Sequence, residues 1–297
     1  MPVVTGDFLS AMYTNLKAVY LQSFEAAQNA DPWQRLVMEV PSSTLTETYE
    51  WLGSVPKMSE WVDERLLGDL SEESFSLTNK HYEATVAVDR NALDDNRLGM
   101  ILPRVRQLAM EAARYPRELV MAKIVAGTSD TGYDGKALFA DDHSGGDNLL
   151  AGTGTAVANL QADLGAAFGA MREFQDDHGR PLNITPDLVV VPAELEFPMR
   201  MALNAALTGG GDTNIYQGIC DIMVAPELTD ANDWYAFSTK GAMKALIYQN
   251  RKAPEFVALD AADDYANFMR RELLYGVDAR CAVGVGIWWY AAKVVNG

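Results

Sequence analysis

Asp134, Asp141, Asp142 and His143 lie within ten residues of one another, in the stretch Tyr133-Asp134-Gly135-Lys136-Ala137-Leu138-Phe139-Ala140-Asp141-Asp142-His143. Carboxylates beside an imidazole can hold a divalent metal and activate a bound water for hydrolysis. The same residue types also cap turns and bond backbone amides in loops. With 3 histidines in the chain and no second ligand cluster at a recognisable spacing, the loop reading is preferred. Asp176, Asp177 and His178 carry the same ambiguity and read as a solvated helix terminus.

Other chemistry finds little support. The sequence holds no Gly-x-Ser-x-Gly elbow, no His-Glu-x-x-His helix and no Gly-x-x-x-x-Gly-Lys phosphate loop. Gly209-Gly210-Gly211 lacks the following lysine and hydroxyl residue. Gly284-Val285-Gly286 lacks a third glycine and falls in a C-terminal strand, so it reads as a place where two backbones approach closely. Cys220 precedes Asp221, which would raise its thiol pKa, and Cys281 follows Arg280 in an apolar strand. Both read as core residues. The expectation is a non-enzyme with no cofactor and no bound metal.

The elements that must position these residues alternate between helix and strand. Phe8, Met12, Leu16, Val19, Phe24 and Ala27 recur at helical spacing before Asp31-Pro32 ends the run. Leu36, Met38 and Val40 alternate as in a strand. Phe75 to Val88 reads as a β-hairpin turning at Asn79-Lys80. A long helix follows Asp94 and Asp95, with Leu98, Leu102, Val105, Leu108, Ala112, Leu119, Ala122 and Val125 as its apolar stripe; Pro116 should kink or restart it. Ala158 to Phe174 is a second amphipathic helix. The run from Asp187 to Val191 reads as a strand buried on both faces, leading into a helix over Glu194 to Leu207. Later strands are expected over Ile219 to Val224, Trp234 to Ser238, Lys244 to Tyr248, Leu273 to Val277 and Ala282 to Tyr290. The fold class is α+β.

Composition narrows the role further. The 297 residues are 48% hydrophobic, enough for a large core. With 41 acidic and 24 basic residues the net charge is −17, which disfavours electrostatic capture of nucleic acid but would suit a container that must not trap it. The 2 cysteines suggest a reducing compartment rather than a disulfide framework. Met1 to Asp7 lacks the pattern of a signal peptide, and the apolar run from Cys281 to Ala292 is too short to cross a bilayer. No membrane partner is expected.

Several segments in succession resemble the Mu-like phage major head subunit family. They are Trp51-Leu52-Gly53-Ser54-Val55-Pro56, the acidic region near Trp61, Asn79-Lys80-His81-Tyr82-Glu83, Leu98-Gly99, Tyr133-Asp134-Gly135 with Phe139 and Asp142-His143, Gly179-Arg180-Pro181-Leu182, and Thr185-Pro186-Asp187 running into Leu188-Val189-Val190-Val191-Pro192. Their order spans roughly residues 5–295.

The resemblance implies the Hong Kong-ninety-seven type capsid fold of tailed phages. Residues 1–35 would be an N-terminal arm, 36–50 a peripheral-domain strand and 51–90 the E-loop. Residues 91–154 would hold the spine helix and peripheral domain, 155–250 the axial domain, and 251–297 strands returning to the peripheral domain. The arm and E-loop would find their apolar partners on adjacent copies, with Phe8, Met12, Leu16, Trp51, Trp61, Phe75, Lys80 and Tyr82 at subunit interfaces. The implied function is a major capsid protein that forms hexamers and pentamers of an icosahedral head around double-stranded DNA, without sequence-specific binding. Implied partners are a separate scaffold protein, a portal and decoration proteins; the implied location is the virion, reached from host cytoplasm. Some relatives of this fold crosslink an E-loop lysine to a neighbour's asparagine, and Lys80 invites that comparison, although no partner asparagine is identifiable. The alternatives are an encapsulin-like nanocompartment shell of the same fold and a metal-dependent hydrolase built on Asp134, Asp142 and His143.

Overall fold

The computed structural model describes residues 6–49, 75–90, 98–176, 179–261 and 264–297. The chain begins with helix α1 (Gly6–Ala30), strand β1 (Val37–Pro41) and strand β2 (Thr46–Tyr49). Strands β3 (Phe75–Thr78) and β4 (Lys80–Asp89) precede a 28-residue helix, α2 (Leu98–Val125). Then come β5 (Leu149–Ala151), α3 (Val157–Glu173), β6 (Leu188–Val191) and α4 (Glu196–Asn204). The remainder is β7 (Asp221–Val224), β8 (Trp234–Phe237), β9 (Leu246–Leu259), α5 (Tyr265–Arg270), β10 (Glu272–Val285) and β11 (Ala291–Val295).

Two sheets organise these elements. One has the order β1-β9-β10-β4, and the other β5-β11-β8-β6-β7. Strand β6 is buried at all four positions, as its unbroken apolar run predicts. It sits between β7, parallel to it, and β8, antiparallel to it. The last strand does not stay with β10: β11 crosses to the five-stranded sheet, pairing β8 and β5. The C-terminal segment therefore stitches the two sheets together instead of returning wholly to one.

The strands on either side of residues 50–74 correct one expectation. β3 and β4 do not form a hairpin with each other. β3 pairs antiparallel with β2, Thr46 opposite Thr78 and Tyr49 opposite Phe75, whereas β4 pairs with β10. Asn79 supplies the bend. Its side chain is buried and donates to Ser42 Oγ and the Thr44 carbonyl, each at 2.9 Å, and its N–H donates to the Leu45 carbonyl at 2.8 Å. The asparagine that suggested a tight turn instead ties the strand back to the β1–β2 connection.

A second correction concerns the leading helix. Leu9, Met12, Leu16 and Tyr20 of α1 are buried in the chain's own core, against Ile101, Val105, Leu108 and Ala109 of α2 and Phe256, Leu273 and Tyr275 of the four-stranded sheet. Met12 and Leu16 thus find apolar partners within their own chain, not on a neighbour. Burying each such side chain stabilises by roughly 1.5–3 kcal/mol, which outweighs leaving the helix free. Phe8 lies in α1. The buried ridge of α2 also runs through Ala113, Val120, Met121 and Ile124, about one residue away from the expected stripe, and Ala122 is exposed. Pro116 lies inside α2, which continues through it to Val125. Asp94 and Asp95, the expected caps, lie outside the described residues.

Gly286 marks the close backbone approach foreseen for this pair of glycines, whereas Gly284 does not. A Cβ on Gly286 would lie 2.6 Å from the Lys244 carbonyl, a backbone contact. A Cβ on Gly284 would instead meet the side chain of Leu77, which fills the space over the strand.

Candidate functional site

The acidic loop brings Asp134 and His143 together but pairs Asp142 elsewhere. His143 Nδ1 lies 2.8 Å from Asp134 Oδ2, and its ring stacks on Trp288 with centroids 4.2 Å apart. Asp142 turns away to pair with Lys136, whose N–H donates to Asp134 Oδ1 at 3.1 Å. Among the described residues, no group of three or more His, Cys, Asp or Glu side chains could hold a metal. The loop is anchored instead by Asn148, which is fully buried. Its amide donates to the carbonyls of Leu138, Ala291 and Trp288, and its oxygen accepts from the Ala140 N–H. Asp134 and His143 are thus packing groups that fix the loop against the C-terminal strands.

The remaining candidates resolve similarly. Asp176 pairs with Arg180, while Asp177 and His178 lie outside the described residues. Burial, reinforced by Asp221, pushes the Cys220 thiol up to about 12, and burial also raises that of Cys281. Neither cysteine sits in the electropositive setting that makes a nucleophile.

What the fold does place at its surface is a set of apolar features. The β2–β3 pair forms a stem that brings together the strands flanking residues 50–74; Trp51 and Trp61 lie outside the described residues. Tyr49 anchors the stem by donating its hydroxyl to Gln249 Oε1 at 2.7 Å, both residues buried. Phe75 is half-buried against the main core, so part of its ring faces outward. Lys80 is exposed at the start of β4, opposite Cys281 of β10, and so stands at the foot of the stem. Tyr82 is half-buried, its ring centroid 4.9 Å from that of Tyr115 on α2. These tyrosines, with Pro116, Tyr248 and Cys281, line a cleft of about 220 Å³ between α2 and the four-stranded sheet. Burial, with smaller contributions from Cys281 and Tyr115, raises the Tyr82 hydroxyl to about 12.

Two further patches escaped the sequence reading. On α4, Met199, Ala202 and Leu203 face the core, but Phe197 and Met201 face outward at 73% and 59% exposure, joined by Leu207 and Ile215 in the following loop. On α5, Tyr265, Phe268 and Met269 are exposed, with Val257 and Leu259 exposed on nearby β9. The available signal was a short helix with apolar residues on both faces, one more than a single core requires. Several large apolar side chains left exposed on one short helix and its flank point to an interaction surface.

Comparison with known proteins agrees with this picture. The family model described as Mu-like prophage major head subunit gpT matches residues 9–169, 158–228 and 229–296. The Mu-like prophage FluMu major head subunit of Haemophilus influenzae is 26% identical over 294 residues, 99% of this chain and 75% of that protein. The major capsid protein of Escherichia phage Mu is 26% identical over 292 residues, 98% and 75% of the two chains. Among solved structures, a chain of the bacteriophage JBD30 procapsid superposes with a TM-score of 0.58 at 27% identity, covering 97% of this chain and 76% of that one. A virus-like particle from Pyrococcus furiosus, 12% identical, matches 95% and 98% of the two chains with a TM-score of 0.54, a likeness of fold alone.

Proposed function

From its membership of the Mu-like prophage major head subunit family, to which this chain belongs, we propose how its surfaces build a shell. The chain is a major capsid protein with the tailed-phage capsid fold, a component of the phage head that associates with copies of itself. Residues 1–35 serve as the N-terminal arm, 36–50 as a peripheral strand, 51–90 as the E-loop and 91–154 as the spine and peripheral domain. Residues 155–250 form the axial domain, and 251–297 close the peripheral sheet through β10. The observation that supports this arrangement is the β2–β3 pair, which brings together Thr46–Tyr49 and Phe75–Thr78, the strands flanking residues 50–74.

Shell contacts then follow from chemistry. The α4 patch and the α5 patch differ in residues and in the elements that carry them. Neither needs to meet its own copy, and unlike patches give heterologous contacts that close into rings. Hexamers and pentamers are such rings. Each apolar side chain covered contributes roughly 1.5–3 kcal/mol before the entropy of association is subtracted, so a few per contact suffice when contacts repeat around a shell. Trp51, Trp61, Phe75, Lys80 and Tyr82 act at the E-loop contact.

The net charge of −17 supports a lining that encloses double-stranded DNA without trapping it. Assembly in host cytoplasm with a separate scaffold protein, followed by joining to a portal and decoration proteins, completes the reading. The role is structural and involves no catalysis. Sedimentation of the purified full chain tests it: capsomers and shells are expected, whereas a single species near 32.5 kDa, with or without a scaffold protein supplied, contradicts it.

A further inference from the structure

Two arginines grip the edge strand of the five-stranded sheet, one at each end. Where β7 begins, Arg35 Nη1 donates to Asp221 Oδ2 at 2.8 Å, and its Nη2 reaches Asp187 Oδ2 at 3.4 Å and Thr239 Oγ1 at 3.5 Å. Where β7 ends, Arg117 Nη2 donates to the Val224 carbonyl at 3.0 Å and to Glu227 Oε2 at 3.1 Å. Arg117 Nη1 also donates to Asp31 Oδ2 at 3.1 Å. Neither arginine belongs to that sheet. Arg35 stands between α1 and β1, and Arg117 lies in α2 beside Pro116.

The grip reaches the centre of the sheet. The Asp221 N–H donates to the Asp187 carbonyl at 3.0 Å and the Ala225 N–H to the Val191 carbonyl at 2.9 Å, so β7 is bonded to β6 beside each clamp. The Arg117 side chain is 16% exposed, and its partners Asp31 and Glu227 are 20% and 22% exposed. Charge-assisted bonds that are partly desolvated are stronger and more directional than surface pairs. Apolar packing alone lets two layers slide by small shear displacements. A forked guanidinium with fixed acceptors on both sides removes that freedom.

We propose that Arg35 and Arg117 are positioning residues for assembly, fixing the angle between the five-stranded sheet and the body made of α1, α2 and the four-stranded sheet, and through that angle the curvature of the shell. The proposal rests on the shell-subunit reading. Curvature depends on the relative orientation of the contact patches, and the α4 patch rides on one side of this joint while the α5 patch rides on the other.

The test compares the full wild-type chain with Arg117→Gln and Arg35→Gln. Hydrogen exchange of the unassembled protein reports the joint, and electron microscopy of assembled particles reports the curvature. Loss of the Arg117 network should speed exchange in peptides covering residues 31–37 and 220–228 by roughly tenfold or more, and loss of the Arg35 bonds, whose pair with Asp221 is more exposed, by about threefold, with protection in β9 and β10 retained. Particles should show a broadened or shifted diameter. Unchanged exchange, or particles of wild-type diameter and uniformity, overturns the proposal. Should Arg117→Gln fail to fold, Glu227→Gln, which keeps a neutral acceptor, should show both effects at a smaller size, about threefold in exchange; wild-type behaviour there overturns it equally. Absence of any wild-type particle would instead count against the shell reading, and the exchange comparison would still judge the clamps.

Discussion

Leu77 lies so close over Gly284 that a methyl group on the glycine would stand 2.3 Å from Leu77 Cδ1. This contact seats β3, and with it the β2–β3 pair, on the long strand β10. Gly284→Ala should force Leu77 out of place and destabilise the subunit by about 1–3 kcal/mol, the usual cost of overpacking. Denaturant unfolding measures this, and a change below about 0.5 kcal/mol would mean the stem is not seated there.

Glu47 offers a pH-dependent handle on the same stem. Its carboxylate accepts from the Thr44 and Ser43 N–H groups and the Ser42 hydroxyl, which hold its pKa down to about 2 against an ordinary 4.5. A pKa depressed by folding stabilises the folded form above the ordinary value, and the contribution is lost as pH falls through the folded one. The β1–β2 connection should therefore keep its amide protection down to about pH 4.5 and loosen between there and about pH 2. Glu47→Gln should show weaker protection at neutral pH and lose this dependence. Hydrogen exchange of the Ser43 and Thr44 amides reads both effects.

His143 is a structural residue in this account. Its side chain is fully buried, paired with Asp134 and stacked on Trp288. His143→Ala should cost about 1–3 kcal/mol of stability by taking the partner of Asp134 Oδ2 away and removing the stack. Metal content measured by mass spectrometry should not differ between variant and wild type. A metal present in the wild type and lost in the variant would revive the hydrolase reading.

The exposed patches predict a separation between folding and assembly. Phe197→Asp and Phe268→Asp remove apolar groups that contact no core, so thermal unfolding should move by less than about 0.5 kcal/mol equivalent. Assembly should fall sharply, because a carboxylate placed in a desolvated contact is costly. Light scattering of assembling protein distinguishes these outcomes, and wild-type assembly by both variants would remove the patches from the account.

Much of this architecture was legible in the residues, for reasons that also explain the failures. Leu188 to Val191 announced a strand buried on both faces because no polar residue interrupts it. β9 was visible only near Tyr248; beyond it Arg251, Lys252 and Glu255 occupy the partly exposed half of the strand. β10 read as two strands because Asp278 and Arg280 sit where its pairing with β9 shifts register. Asn79 misled because a turn-forming residue can serve equally as a buried bond donor, and only the tertiary fold decides which. The arm's helix was recognised, but periodicity cannot say which body covers an apolar face, and Leu16 turned out to face α2 of its own chain. Phe197 and Phe268 were missed for the converse reason: an apolar residue in a sequence looks like core until a structure leaves it outside.

The central claim is the proposed one, that the E-loop assigned to residues 51–90 makes its apolar contacts on a neighbouring copy. Electron cryomicroscopy of particles isolated from cells making the full chain, with and without the proposed scaffold protein, tests it most directly. The account predicts closed shells in which Trp51 and Trp61 rest on an adjacent subunit. Isolated monomers only, or shells in which those tryptophans pack against their own chain, would contradict it.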